Sequence, residues 1–360
     1  MVASPPVPVA VSAPASAPSE RASELAAACA EASLWPLPRA GRTRVRWSAL
    51  AELAERDLVL ARLVEAHADA VAILAELGGG PVRVGSRWGV WAAEGPGRPL
   101  AARPAQDGGW LLDGTKQWCS GATLLTHALV TARSTDGDRR LFAVALEAPG
   151  VSAGPDAWAA AGMKGADTRA VAFTGAPARA VGESGDYLSR PGFWAGGIGV
   201  AACWYGGAVA VAGPLRSAVA AGRDDPHAAA HLGAVDVALG ACADVLRAAA
   251  DQLDADRSGT DWSDTDRSVP DRSTDRPAAT TAAATDHARL ARRVRGTVAQ
   301  AASDVIVRVG RALGPAPLAG DAEHARRVAD LEVYIRQDHA ERDLAALGAD
   351  VAATHGDWSL

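Results

Sequence analysis

Residues 110–123 read WLLDGTKQWCSGAT. Two strand-like pieces flank the turn dipeptide Asp113-Gly114, Trp110 to Leu112 before it and Lys116 to Ser120 after it. That arrangement predicts a β-hairpin. The second arm ends Trp118-Cys119-Ser120-Gly121, so an indole stands next to a small hydroxyl and a free backbone amide. A flat conjugated ring needs that kind of wall, with an aromatic face to stack on and donors along its edge. The same residues also suit an ordinary hairpin with one exposed Trp, and the flanking sequence has to decide between the two.

Upstream the pattern is helical from about Glu20. ERASELAAACAEA has one apolar face, and a connection containing Trp and Pro runs from about Trp35 to Trp47. Residues 48–80 then carry Leu50, Leu53, Leu60, Leu63, His67, Val71 and Leu74 at helical spacing. Ser48 is the expected N-cap, and Gly78-Gly79-Gly80-Pro81 ends the run. His67 reads as a packed interface side chain, with a substrate-facing role as the lesser alternative.

From residue 81 to 185 the signal changes to short strands. GVWAA, WLLDG, KQWCS, HALVTAR, LFAVALE and AVAFTG are punctuated by Gly, Pro and Asp, as in an antiparallel sandwich or barrel. Helices return from residue 186. GVAACWYGGAVAVAGPLRSAVAAG is rich in small residues, and Gly213-Pro214 with no basic flanks argues against a membrane span. HAAAHLGAVDVALGACADVLRAAADQL is amphipathic, and about residues 254–286 form an Asp/Arg/Ser/Thr-rich stretch expected to be a disordered insert. HARLARRVRGTVAQAASDVIVRVGRALG follows, and beyond a Pro-x-Pro break EHARRVADLEVYIRQDHAERDLAALG reads as one last helix. Residues 1–19 are a Pro/Ala/Ser tail with neither the basic start nor the apolar core of a signal peptide.

The expected fold class is therefore α+β. An N-terminal helical domain (20–80) precedes a middle antiparallel β domain (81–185) and a C-terminal helical bundle (186–360). A formal net charge of −6 argues against a nucleic-acid partner or an anionic membrane surface. Cys29, Cys119, Cys203 and Cys242 form no Cys-x-x-Cys pair, and no His is spaced to complete a zinc site. No metal is expected, and reduced thiols point to a cytoplasmic protein. No apolar run is expected to reach transmembrane length.

Four segments, in order, resemble the acyl-CoA dehydrogenase superfamily. GVWAAEGPG (89–97) is similar to its Thr-Glu-Pro-Gly stretch, with Ala93 at the flavin-contacting Thr, Glu94 matching and Gly95 at the Pro. The Gly-Ser-Asp that helps hold CoA is absent. Gly114, Lys116, Trp118, Cys119, Ser120 and Gly121 resemble the flavin-contacting strand. GMKGADTRAVAFTGAPA (162–178) resembles the strand that closes the middle domain, with Lys164 at an Arg and Ala166 at a Ser. RVGRALGPAPL and RRVADLEVYIRQDHAERDL resemble the C-terminal Gly-rich turn and the base-bearing helix, with Ala329-Asp330 at the Arg-Asp. Together these cover roughly residues 45–350.

The resemblance implies a flavin, FAD first and FMN in a monooxygenase. It places cofactor contacts at Trp91, Ala93, Trp118, Cys119 and Ser120, and the adenine end at Gly310 and Gly314. The superfamily's Tyr-Glu-Gly-Thr string falls on Gln337-Asp338-His339-Ala340. Asp338 then stands at the catalytic base, one carbon–carbon bond (~1.5 Å) shorter than Glu, and His339 is the adjacent candidate. RQDHAERD reads equally well as a solvated helix face. The Arg-x-x-Phe-Gly string that reaches a neighbouring subunit's cofactor is not found, and Arg216 or Arg223 stands in that region.

The leading expectation is an FAD-dependent oxidoreductase taking an acyl thioester, such as an acyl-CoA, or a related activated carbonyl, with an electron-transfer partner. The alternatives are a reduced-flavin monooxygenase served by a flavin reductase and a non-catalytic descendant acting as an interaction protein. The resemblance further implies a homodimer or homotetramer.

Overall fold

The computed structural model describes residues 18–222, 225–256 and 280–354. Three helices come first, α1 (Pro18–Ala32), α2 (Thr43–Arg56) and α3 (Leu58–Glu76). The apolar run through residues 48–76 is two helices because Asp57 interrupts it in extended conformation. Its carboxylate accepts the Leu60 N–H at 2.9 Å, capping α3, and pairs with Arg21 of α1 at 2.9 Å. Ser48 is therefore inside α2 and caps nothing. Asp254 holds the start of α2 from across the molecule, accepting from Thr43 N at 2.9 Å and Thr43 Oγ1 at 2.6 Å.

His67 of α3 is fully buried. Its Nδ1 accepts the Trp88 N–H at 3.2 Å, and its Nε2 meets Ser33 Oγ at 2.9 Å. Burial pushes its pKa down to about 4, so the neutral ring pins α1 and α3 to the sheet. The packed reading of His67 holds.

The middle domain contains β1 (Trp88–Trp91), β2 (Ala101–Pro104), β3 (Trp110–Cys119), β4 (His127–Arg133), β5 (Arg139–Ala145), β6 (Val151–Ala153) and β7 (Arg169–Val181). Neighbours run β4-β2-β3-β7-β5 and back to β4, which closes a five-stranded barrel. β1 lies along β4 and β6 along β7. Pairing is antiparallel except where β4 meets β1 and β2, which run parallel to it.

The expected hairpin at Asp113-Gly114 is absent. β3 is a single strand paired with β7 along its length, and the register slips between Leu112 and Asp113. Gly114 takes φ 124° and Asp113 Oδ1 accepts the Gly175 N–H at 2.7 Å. The dipeptide's tolerance of unusual backbone angles bends the strand around the barrel instead of reversing it.

The C-terminal half comprises the short α4 (Asp186–Ser189), α5 (Phe193–Ala220), α6 (Pro226–Ala255), α7 (Thr280–Leu313), α8 (Ala316–Gly320), α9 (Ala322–Tyr334) and α10 (Glu341–Thr354). α5 is its central helix. A Cβ at Gly206 would lie 2.1 Å from the Ala51 carbonyl oxygen, so that glycine lets α2 and α5 touch backbone to backbone. Contrary to the expectation on length, α5 and α6 are each long and apolar enough to cross a membrane by length and composition alone; 72% of the α5 window is buried inside the protein, as in a core helix, against 17% for α6.

Most of the expected insert, residues 257–279, lies outside the described residues, as do residues 1–17 of the expected tail. The flanks of the insert are helical, with Asp254 and Ala255 closing α6 and Thr280 to Asp286 opening α7. Pro18 and Ser19 belong to α1. The expected single last helix is broken. After α9 a 3-10 turn spans Ile335–Gln337, Asp338 is extended, and Ala340 takes φ 44° before α10 begins.

Candidate functional site

A cavity of about 720 Å³ opens where the barrel meets both helical units. That volume suits a small molecule or cofactor, for which ~300–1,000 Å³ is usual. Arg62, Glu65 and Asp69 line it from α3, and Val90 to Ala93 from the end of β1. Trp118 and Ser120 come from the end of β3, and Met163, Ala166 and Thr168 from the approach to β7. Val333, Tyr334, Arg336, Gln337 and His339 close it from the end of α9 and the α9–α10 break, and Trp158 and Tyr187 also line it.

Backbone geometry explains which residues of the 110–123 stretch face the cavity. The β3–β7 register slips a second time between Lys116 and Cys119, and Trp118 takes φ 57°, an angle rare for a large side chain. The indole is thereby turned out and stays 54% exposed, while the Cys119 side chain turns into the core. Trp91 Nε1 donates to the Ser120 carbonyl at 3.0 Å, fixing β1 to the end of β3. Ser120 Oγ and Thr168 Oγ1 are 3.0 Å apart.

Four expected cofactor contacts, Trp91, Ala93, Trp118 and Ser120, thus share the cavity wall, and three do not. Cys119 is 0% exposed, and burial pushes its thiol up to about 12, so it is core filler. Gly310 lies inside α7, and Gly314 (φ 68°) ends that helix by donating to the Gly310 carbonyl at 2.9 Å. Neither lines the cavity, and the pair is an ordinary helix C-terminus. The Gly121 amide is not free, because it donates to the Ala166 carbonyl at 2.7 Å.

The two base candidates part company. Asp338 does not line the cavity; its Oδ2 accepts the Ala340 N–H at 3.2 Å and its Oδ1 lies 3.9 Å from Arg295 Nε. His339 does line it, with Nδ1 at 3.4 Å from Asp343 Oδ2. The break between α9 and α10 separates them, since an extended Asp338 and its neighbour point apart.

Sequence reasoning passed over Glu65 and Tyr334. Glu65 is 8% exposed; burial pushes its carboxyl up to about 7, with Arg62 at 3.2 Å opposing that shift. Tyr334 is 1% exposed, its ring 5.9 Å from the Arg62 guanidinium carbon. The available signal was Glu65 and Asp69, one helical turn apart within the apolar α3 sequence.

Residues 98–176 match the family model of the acyl-CoA dehydrogenase middle domain. The nitrososynthase from Micromonospora carbonacea var. africana superposes with a TM-score of 0.74 at 20% identity, over 93% of this chain and 89% of that one. TdsC from Paenibacillus sp. A11-2, solved with FMN and indole, gives 0.72 at 17% identity over 93% and 96%. Butyryl-CoA dehydrogenase from Megasphaera elsdenii gives 0.64 at 17% identity over 84% and 80%. In sequence, the amino sugar nitrososynthase RubN8 of Streptomyces rubradiris is 38% identical over 92 residues, which is 24% of this chain and 21% of that protein.

The chain thus has the α+β fold of these acyl-CoA dehydrogenase-like proteins, and residues 98–176 are similar to that family's middle domain. Similar folds belong to TdsC, a dibenzothiophene monooxygenase solved with FMN, and to a butyryl-CoA dehydrogenase.

Proposed function

We propose that this protein is a reduced-flavin monooxygenase using FMN. The observation that carries the proposal is the placement of Asp338, whose carboxylate is held at Ala340 N and near Arg295 while His339 lines the cavity. A dehydrogenase of this superfamily needs its carboxylate over the substrate's α-carbon. The resemblance to FMN-bound TdsC supports the same reading.

The residues fit a flavin. The indoles of Trp91 and Trp118 offer flat faces, and the Ser120 and Thr168 hydroxyls can rotate to donate to a ring edge. When bound, the reduced flavin would supply two electrons to dioxygen. Trp118 would stack on the ring, Trp91 would hold Ser120 in position, and the walls from α3 and α9 would exclude water from the substrate. The cavity is not filled by the protein's own side chains, which weighs against a non-catalytic descendant.

The dehydrogenase reading keeps one support, the Glu65 carboxyl inside the cavity. The test is direct. With FMN and a flavin reductase, substrate turnover should require oxygen, and acyl-CoA with an artificial electron acceptor should give no reduction. Acyl-CoA-dependent reduction without oxygen would reverse the assignment. We further propose a homodimer or homotetramer through the outer face of α6, where Val237 is 73% exposed, testable by light scattering on Val237→Asp.

A further inference from the structure

We propose that the substrate of this cavity carries a primary amine, and that Glu65 takes the proton from its ammonium form; this deepens the oxygenase reading and rests on it. Glu65 Oε2 accepts from Arg62 Nη1 at 3.2 Å, and its Oε1 has no hydrogen-bond partner among the described residues. A second, independent feature lines the same cavity. The Tyr334 hydroxyl is buried and makes no hydrogen bond among the described residues, although it lies near the Cys203 thiol, a weak partner. A buried hydroxyl left in this state costs stability unless a ligand satisfies it.

An ammonium group carries three donors, enough to reach both the Glu65 carboxylate and the Tyr334 oxygen. A sulfide, a hydrocarbon or a thioester group has no donor and would leave Glu65 with Arg62 alone and the Tyr334 oxygen with no donor from the ligand. The charged and titratable groups around Glu65 are Arg62 and Asp69 on α3, Arg46 on α2, Arg295 on α7, Tyr334 at the end of α9, Cys203 on α5 and Tyr187 on α4.

An amine is a nucleophile only as the free base. The ammonium N–H breaks and its proton moves to the Glu65 carboxylate, giving R–NH₂ and a carboxylic acid. Dioxygen then gives one atom to nitrogen, converting R–NH₂ to R–NHOH, and its other atom leaves as water. The two electrons and two protons this requires would come from the reduced flavin that the cavity would hold. A carboxyl whose pKa burial has pushed up to about 7 is poised to take and return such a proton near neutrality.

The experiment measures calorimetric binding of cyclohexylamine and its neutral isostere cyclohexanol, to flavin-free and FMN-loaded protein, from about pH 6 to about pH 9. Cyclohexylamine should bind about tenfold or more tightly than cyclohexanol at pH 8 and weaken about tenfold by pH 6, as Glu65 protonates. Glu65→Gln should abolish both the preference and the pH dependence, and Glu65→Asp should retain them. Tyr334→Phe should weaken the amine severalfold without weakening cyclohexanol, and it carries the test if Glu65→Gln does not fold. Equal binding of the two probes, undetectable amine binding throughout, or an unchanged profile in Glu65→Gln overturns the proposal. FMN uptake, read by absorbance, separates the two claims. Uptake without amine preference sinks this inference alone, and amine preference without uptake sinks the oxygenase reading alone.

Discussion

The backbone N–H of Met163 donates to Asp330 Oδ1 at 2.6 Å, and Asp330 is 2% exposed. This bond fastens the barrel to α9 beside the cavity. The neighbouring close approach is tighter still, since a Cβ at Gly162 would lie 1.9 Å from the Ala329 carbonyl oxygen. Gly162→Ala must therefore push backbone from backbone. It should cost about 3 kcal/mol or more, the scale of an overpacked core, and Asp330→Ala about 1–3 kcal/mol for the orphaned amide. Chemical denaturation of both variants checks this. Because Met163 and Tyr334 both line the cavity, ligand affinity should fall with stability.

Trp118→Ala should lower FMN retention strongly, by about tenfold or more if a stacking contact of ~1.5 kcal/mol is lost. Its half-exposed indole makes a large change in fold stability unexpected. Trp262→Ala, outside the described residues, should leave retention unchanged. Fluorescence quenching of added FMN measures both, and equal losses would remove Trp118 from the site.

The order of helices, strands and helices was legible because each stretch has its own period, helical through residues 48–76, alternating within the strands, and helical again after residue 186. Two strands escaped. β2 is four residues with three exposed and ends in Pro104, and β6 is three residues, so neither has enough alternation to register. The Asp113-Gly114 bulge was misread as a turn because both need the same permissive backbone. The wall from β1 and β3 was readable because its indoles are adjacent to a local motif. Glu65 and Tyr334 join it only through packing between α3 and α9, which no local pattern encodes.

Asp338→Asn should leave oxygen-dependent turnover within about twofold, because its carboxylate serves the α9–α10 break and not the cavity. His339→Ala, which removes a cavity-lining side chain, should lower kcat/KM by about tenfold or more if the imidazole aids proton transfer. A large loss in Asp338→Asn with an intact His339→Ala would restore the dehydrogenase assignment. Steady-state oxygen consumption in both variants decides it.

Stability against pH should expose two buried groups working in opposition. His67 ordinarily titrates near 6.5 and is held at about 4 in the fold. An unfolded chain takes up its proton first, so the His67 contribution is full above pH 6.5 and is lost as pH falls toward 4. Glu65 runs the other way. Its carboxyl ordinarily titrates near 4.5 and is raised to about 7, so its contribution is full below pH 4.5 and is lost as pH rises through 7. The two partly cancel in the wild-type curve, and Glu65→Gln isolates one of them. The variant should be more stable than wild type by about 1–3 kcal/mol at pH 8, and should show no gain at pH 4.5, at ~1.4 kcal/mol per pKa unit. Urea denaturation at the two pH values measures the difference, and an equal effect at both would mean that Glu65 does not carry the buried, raised carboxyl on which the amine chemistry depends.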